Sequence, residues 1–224
     1  PETEHWTLQL AETLRSRILQ DRPFRALDLC TGTACIPLLL CHSLPPRTIS
    51  AVAIDISLGA VELARDNVTR CGYTASSGGN TVRVECQDIF SDNFAQWLKQ
   101  TGPSWEPYDV LASNPPYIPR LEYDKLSHTV RNFEDPLALL GEYPALMTDN
   151  SGPRLEHNRK GLAFYARIAS LVQHQNLVRL GGYIALEVGQ GQARTVERMF
   201  QPFVRHTEVW LDPWGIERVV FARV

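Results

Sequence analysis

No stretch of this sequence is apolar for long enough to cross a bilayer; runs such as Ile36 to Leu40 fall far short of the roughly 20 residues a spanning helix needs. Cysteine is scarce and unpatterned. Five residues (Cys30, Cys35, Cys41, Cys71, Cys86), an odd number without a C-x-x-C, signal neither a disulfide framework nor a zinc knuckle and fit a reducing compartment. An excess of positive charge is also missing. With 22 Lys and Arg against 25 Asp and Glu, a net charge of −3 and a pI near 6.1, bulk charge does not hold this chain to nucleic acid, although a small local basic patch stays open. There is no initial Met, so the chain reads as a fragment or processed form whose targeting segment, if any, lies outside it. Repeats and low-complexity tracts are absent too. What is present is 224 residues, 44% of them apolar, enough for one sizeable core and one domain spanning 1–224.

Apolar periodicity organises that domain. Leu8, Ala11, Leu14, Ile18 and Leu19 share one helical stripe that Asp21-Arg22-Pro23 ends. The run 25–30 reads as a strand reaching a Gly/Thr turn, with a helix from Cys35 to His42; 48–54 is a second strand, ending on Asp55, after which Ser57 caps a helix. A third strand spans 81–86, with a short helix near 94–98. A fourth spans 108–113 and stops at Asn114-Pro115-Pro116, because prolines cannot donate to a ladder. Periodicity then fades, and 118–161 reads as a long, partly mobile loop. A helix from Leu162 to Val172, a break at Gly181-Gly182, a strand at 183–188, a helix at 193–200 and strands at 204–211 and 218–223 complete the chain. Alternation of strand and helix with a hairpin-like finish predicts an α/β fold with a mostly parallel sheet.

In such sheets ligands sit beyond the carboxyl ends of the strands. Those positions are Asp28 to Ala34, Asp55, Asp88 and Asn114 to Tyr117; three of the four carry an acid, which points away from a nucleoside triphosphate. The first turn, Asp28-Leu29-Cys30-Thr31-Gly32-Thr33-Ala34, lacks the three glycines of G-x-G-x-x-G and the Walker lysine, so a plain turn and a cofactor loop read equally well. Asp55, 23 residues after Gly32, can accept from both hydroxyls of a ribose or serve as a helix cap. Asp88 can take an adenine amine while the Ile89 amide meets a ring nitrogen; a turn-forming role suits it equally. The clearest signal is Ser113-Asn114-Pro115-Pro116-Tyr117. The two prolines fix the backbone, the Pro115 carbonyl and the Asn114 side chain offer two acceptors, and Tyr117 offers a flat wall, a set suited to a planar –NH₂. None of the six histidines lies in these motifs, and no metal site is predicted.

Asp28-Leu29-Cys30-Thr31-Gly32-Thr33, Ala53-Ile54-Asp55-Ile56-Ser57 with Ala64-Arg65-Asp66-Asn67, Asp88-Ile89-Phe90 and Asn114-Pro115-Pro116-Tyr117-Ile118 resemble, in order, the motifs of class I S-adenosylmethionine-dependent methyltransferases. Pro1-Glu2-Thr3-Glu4, Gly161-Leu162-Ala163-Phe164-Tyr165 and Asp212-Pro213-Trp214-Gly215-Ile216-Glu217-Arg218 narrow the resemblance to release-factor glutamine methyltransferases of the HemK/PrmC type, across nearly the whole chain. The resemblance implies a Rossmann-like, mostly parallel seven-stranded sheet with an antiparallel C-terminal hairpin. It also implies S-adenosyl-L-methionine as cofactor, S-adenosyl-L-homocysteine as product, and methylation of the glutamine side-chain amide in a release factor's Gly-Gly-Gln motif. By carry-over, Cys30, Thr31, Gly32, Thr33 and Ala34 wrap the methionine part, Asp55 holds the ribose, and Asp88 and Ile89 the adenine. Asp28, Ile56 and Asn114 also belong to the cofactor set. Asn114, Pro115, Pro116 and Tyr117 hold the glutamine, with Asn114, Pro115 and Tyr117 as catalytic residues.

The chain departs from that pattern in places. Cys30 and Ala34 stand where the family commonly has Gly; their Cβ atoms would loosen cofactor binding if the loop could not shift, and tolerance is the expectation. The family's small N-terminal helical domain and the basic residue ahead of Pro1 are not in this sequence, and Met147 to Lys160 is longer than the usual link. The expected partner is a release factor, with no membrane and no direct nucleic acid, and a monomer is expected. Proteins that this chain resembles and that share the Pro-Glu-Thr-Glu entry are bacterial or organellar, and the long polar insertion looks eukaryotic, so the resemblance implies a mitochondrion in preference to the cytoplasm. Two other readings compete. One is an N6-adenine methyltransferase, since that amine presents the same pattern but requires base flipping and a polyanion site. The other is a catalytically inactive cofactor-binding or interaction module.

Overall fold

The computed structural model describes residues 2–18, 22–101, 105–143 and 153–224. Helix α1 (Glu2–Arg15) leads, followed by β1 (Phe24–Leu29), α2 (Cys35–Ser43), β2 (Ile49–Asp55), α3 (Leu58–Cys71), β3 (Thr81–Cys86), α4 (Phe94–Gln100) and β4 (Tyr108–Ser113). Short helices α5 (Arg120–Tyr123), α6 (His128–Phe133), α7 (Pro136–Leu139) and α8 (Pro153–Arg159) come next. The chain ends with α9 (Ala163–Gln175), β5 (Val178–Glu187), α10 (Ala193–Phe200), β6 (His206–Leu211) and β7 (Glu217–Arg223).

The strands form one seven-stranded sheet of order β3-β2-β1-β4-β5-β7-β6. Strands β1 to β5 run parallel, and β7 is antiparallel to both neighbours, the predicted hairpin finish. Central β4 is buried along its whole length, as a strand covered on both faces must be. One layer of the core joins Trp6, Leu10, Leu14, Leu40, Val61 and Val68 from α1, α2 and α3; the other joins Phe94, Tyr165, Ile168, Val196 and Phe200 from α4, α9 and α10. Between them the first-strand turn, Asp55, Asp88 and the Asn114 corner emerge along one edge of the sheet, where a site can form.

Three readings of the sequence are corrected. The leading helix starts at Glu2 and buries Trp6, Leu10, Ala11 and Leu14, whereas Leu8 is 50% exposed and Ile18 falls beyond the helix; Trp6 sets the buried stripe one turn earlier. Strand β5 begins at Val178 rather than 183, because the glycine pair is accommodated by a register shift opposite Tyr108 and Val110 instead of breaking the strand. The segment read as a loop holds α5 to α8, each too short to display a 3.6-residue period, and α6 and α7 are capped by Ser127 and Asp135. Pro1, Leu19, Asp21 and 144–152, all part of readings above, lie outside the described residues.

Candidate active site

The turn after β1 is held open by β2. Thr31 N–H donates to the Ile54 carbonyl (2.9 Å), and Gly32 N–H donates to Asp55 Oδ2 (2.8 Å), while Asp55 Oδ1 accepts from Ser57 N–H (3.0 Å). Ser57, not Asp55, caps α3, so the Asp55 carboxylate ties the turn to the strand end and keeps spare lone pairs toward the cleft. Cys30, Gly32 and Ala34 have φ of 58°, 55° and 64°, so two non-glycine residues retain a left-handed backbone that costs an L residue about 1–2 kcal/mol. Ala34 is fully buried in the α1–α3 core, so its methyl does not narrow the cleft; Cys30 lines it, with its thiol pKa pushed well up by burial. A Cβ built on Gly32 meets nothing within 4 Å and faces open cleft, space that a ligand's own atoms can use. Behind the turn, Asp28 accepts from Thr31 Oγ1 (2.5 Å) through Oδ2, while its Oδ1 is buried without a partner. Burial raises the Asp28 pKa to about 8.

Beyond β3, Asp88 Oδ1 accepts from Phe90 N–H (2.8 Å), the turn-forming role, and Oδ2 accepts from the Tyr143 hydroxyl (2.6 Å). The Tyr143 ring stacks on Phe90 with centroids 3.9 Å apart and planes 8° from parallel, and the carboxylate pushes the phenol pKa up to about 12. Buried Asn158 clasps Tyr143 from the returning chain, accepting from its N–H (2.6 Å) and donating to its carbonyl (3.3 Å). Below them Gly141 and Gly161 meet so closely that a Cβ on Gly141 would stand 2.7 Å from the Gly161 Cα.

At the Asn114 corner, Ser113 Oγ donates to the Leu29 carbonyl (2.6 Å), pinning β4 to β1 just before the turn. Pro115 and Pro116 are buried, and past them Ile118 bridges to Leu140 and Gln192 Nε2 donates to the Tyr117 carbonyl (2.9 Å). Asn114 Nδ2 donates to Thr3 Oγ1 (3.2 Å), the Thr3 hydroxyl donates to Glu187 Oε2 (2.6 Å), and Trp6 Nε1 donates to the same oxygen (2.8 Å). The closing motif reaches this point as well: Arg218 pairs with Glu2 and with Asp212, whose other carboxylate oxygen shapes the hairpin turn by accepting from Trp214 and Ile216 N–H.

These three stations open on one cavity of about 1410 Å³. Of the residues singled out from sequence, Cys30, Thr31, Gly32, Thr33, Asp55, Ile56, Asp88, Ile89, Asn114 and Pro116 line it. Asp28, Ala34, Pro115 and Tyr117 stand outside the lining: the first two lie beneath the turn, and the Tyr117 ring lies against Gly189, with its phenol beside Arg218. Sequence reasoning missed Thr3, Glu187 and Tyr143. Thr3 sat inside a stretch noted only for its likeness; Glu187, the lone acid at the carboxyl end of β5, carries the same positional signal as Asp55; nothing local marks Tyr143.

The architecture is the class I methyltransferase fold. No protein-family model matches the chain. Over 225 residues it is 32% identical to the release factor glutamine methyltransferase of Bradyrhizobium diazoefficiens, and over 226 residues 30% identical to that of Nitratidesulfovibrio vulgaris. Each alignment takes in 100% of this chain and 63% of the relative, so the chain spans somewhat less than two thirds of these proteins' length. A crystal structure of a release factor-specific protein-(glutamine-N5) methyltransferase from Alicyclobacillus acidocaldarius superposes with a TM-score of 0.50 at 22% identity, covering 99% of this chain and 92% of that one.

Proposed function

From a likeness to release factor glutamine methyltransferases that runs the whole length of this chain, we propose that it transfers a methyl group from S-adenosyl-L-methionine to the side-chain amide nitrogen of the glutamine in a release factor's Gly-Gly-Gln motif. The observation that carries the reading is the oriented Asn114 amide at the rim of the cavity. Thr3 spends its only hydroxyl proton on Glu187, so toward Asn114 it can only accept, which assigns Nδ2 to Thr3 and turns Oδ1 to the other side. Among the described residues no donor reaches Asn114 Oδ1 or the Pro115 carbonyl. Asn114, which lines the cavity, keeps one acceptor unspent, and the carbonyl of Pro115, just outside the lining, keeps another; an amide –NH₂ has two protons to give.

The residues fit the cofactor. The space beyond Gly32 that a Cβ would occupy is open, Asp55 keeps acceptor capacity for hydroxyls, and the acids around the cleft suit a positively charged donor. At about 1410 Å³ the cavity exceeds the roughly 300–1,000 Å³ of a single-ligand pocket, which leaves room for a peptide side chain beside the cofactor. When bound, the cofactor supplies a methyl on an electron-poor sulfur.

The protein's task is then to present a poor nucleophile. An amide nitrogen shares its lone pair with its carbonyl, so it must be held in line and allowed to leave planarity. As its bond to carbon forms, the –NH₂ gains positive character, and its hydrogen bonds to Asn114 Oδ1 and the Pro115 carbonyl strengthen toward the transition state. Holding both reactants in place contributes up to about 7–11 kcal/mol at the ideal limit. No side chain in the set is a strong base; proton loss follows methyl transfer.

One catalytic domain spans the chain, acting as a monomer on a protein substrate. Incubation with the methyl donor and a Gly-Gly-Gln peptide should add one methyl group to the peptide, read by mass spectrometry. Labelling of an adenine oligonucleotide instead would hand the site to the competing amine, and no calorimetric binding of the cofactor by folded protein would leave only an interaction module. A mitochondrial setting is part of the same proposal, which cell fractionation separates from a cytoplasmic one.

A further inference from the structure

We propose that Thr3 is a positioning residue for methyl transfer: its hydroxyl, whose proton is given to Glu187, acts as a one-way acceptor that locks the Asn114 amide with Oδ1 facing the acceptor substrate. An asparagine amide is nearly symmetric in shape, and a half-turn about its last bond would present –NH₂ where the substrate's own –NH₂ must donate. Two donors would then face each other, and the acceptor of the site would be lost. The structure contains the device that prevents this. Glu187 is only 3% exposed, its Oε2 takes donors from both Thr3 (2.6 Å) and the Trp6 indole (2.8 Å), and its backbone carbonyl accepts from the Tyr165 hydroxyl (2.9 Å). The carboxylate is therefore fixed, and its Oε2 is a stronger acceptor for the Thr3 proton than the amide oxygen that a flipped Asn114 would offer. With that proton spent, Thr3 Oγ1 rewards only one orientation of Asn114. Thr3 itself lines the cavity beside Asn114, at the first turn of α1, and Thr7 Oγ1 donating to its carbonyl (2.6 Å) steadies that turn.

The idea rests on the proposed reading of the site, and its test has an arm that does not. Thr3→Val keeps the shape and removes the acceptor; Thr3→Ser keeps the acceptor and removes the methyl. With a Gly-Gly-Gln peptide, Thr3→Val should lower kcat by about tenfold or more, with the peptide KM and the cofactor Kd within about twofold of the parent, and Thr3→Ser should return kcat to within about threefold. In parallel, the Asn114 side-chain amide pair, identified in a nitrogen–proton correlation spectrum as the pair missing from Asn114→Ala, should shift and broaden in Thr3→Val and stay in place in Thr3→Ser. An unmoved pair in Thr3→Val overturns the lock, as does a serine variant as impaired as the valine one or a cofactor affinity that falls in step with kcat. If the parent protein methylates no peptide, the proposed reaction fails on its own, and the spectra still decide whether Thr3 holds Asn114.

Discussion

The two ends of the cleft are built from different material. At the Asn114 corner the side-chain hydrogen bonds are long-range: Asn114 reaches a residue 111 positions away, and Thr3 one 184 positions away. Those partners sit on α1 and β5, whose side chains belong to the core, so the corner cannot rearrange without unpacking it. At the Asp88 end the partner is Tyr143, held by Asn158 and the Gly141–Gly161 approach, and none of these contacts is made by a strand residue. On the proposed function, this difference makes a division of labour, with a core-anchored end where bonds would change and a less anchored end where the cofactor's base would be admitted.

The sharpest way to break that picture is Asn114→Ala. It deletes the unspent acceptor but leaves the turn after β1, Asp55 and Asp88 alone, so transfer to the peptide should fall by about 100-fold or more while cofactor affinity by calorimetry changes little. An equal loss of cofactor affinity would mean that the two ends are not separable. Next in size is Asp55→Ala, which removes a carboxyl acceptor and frees the Gly32 and Ser57 N–H groups it holds, so the cofactor Kd should rise by about tenfold or more. Unchanged affinity would take Asp55 out of the site.

Much of this was legible in the sequence, and the illegible parts share a cause. Four of the five parallel strands read out to within a residue because each is a short apolar or alternating run that ends in a turn, whereas the start of β5 was hidden by its glycine pair; the Asn-Pro-Pro-Tyr corner read out because two prolines can only stop a strand there. The roles of Thr3 and Glu187 did not, because a hydrogen bond between residues 184 apart leaves no local pattern. Asp88 is the mixed case. Both readings of it, turn former and acceptor, were available from its position after β3, yet the donor it meets is a tyrosine from the segment that carried no periodicity. Tyr117 shows the reverse: its aromatic ring signalled a substrate wall, whereas packing against Gly189 takes it behind the corner.

The turn between the two ends rests on Asp28, and there pH supplies a smaller, signed test. Burial lifts its folded pKa to about 8 from an ordinary 3.8, so the charged form is the disfavoured one. The stability it allows is complete below pH 3.8 and is lost as pH climbs toward 8. Asp28→Asn, which still offers Thr31 an acceptor, should therefore melt higher than the parent at pH 8, by about 3 °C or more, with the gap closing toward pH 4. A constant gap would mean that Asp28 does not titrate in this window.

The smallest effect tests the less anchored end itself. Tyr143 places a flat ring on Phe90 and a donor on Asp88, the same two interactions that an adenine ring and its exocyclic amine would make there, so on the proposed function the two would compete for one seat. Tyr143→Phe keeps the ring and the backbone clasp by Asn158 but deletes the donor, removing a bond of about 1 kcal/mol from the closed state at this half-exposed position. S-adenosylhomocysteine should then bind about fivefold more tightly by calorimetry. Tyr143→Ala, which also vacates the face of Phe90, should bind at least as tightly as the phenylalanine variant. Weaker binding in either would make Tyr143 a wall of the base pocket rather than its competitor, and the Asp88 end would then be held to a single arrangement just as firmly as the Asn114 corner is.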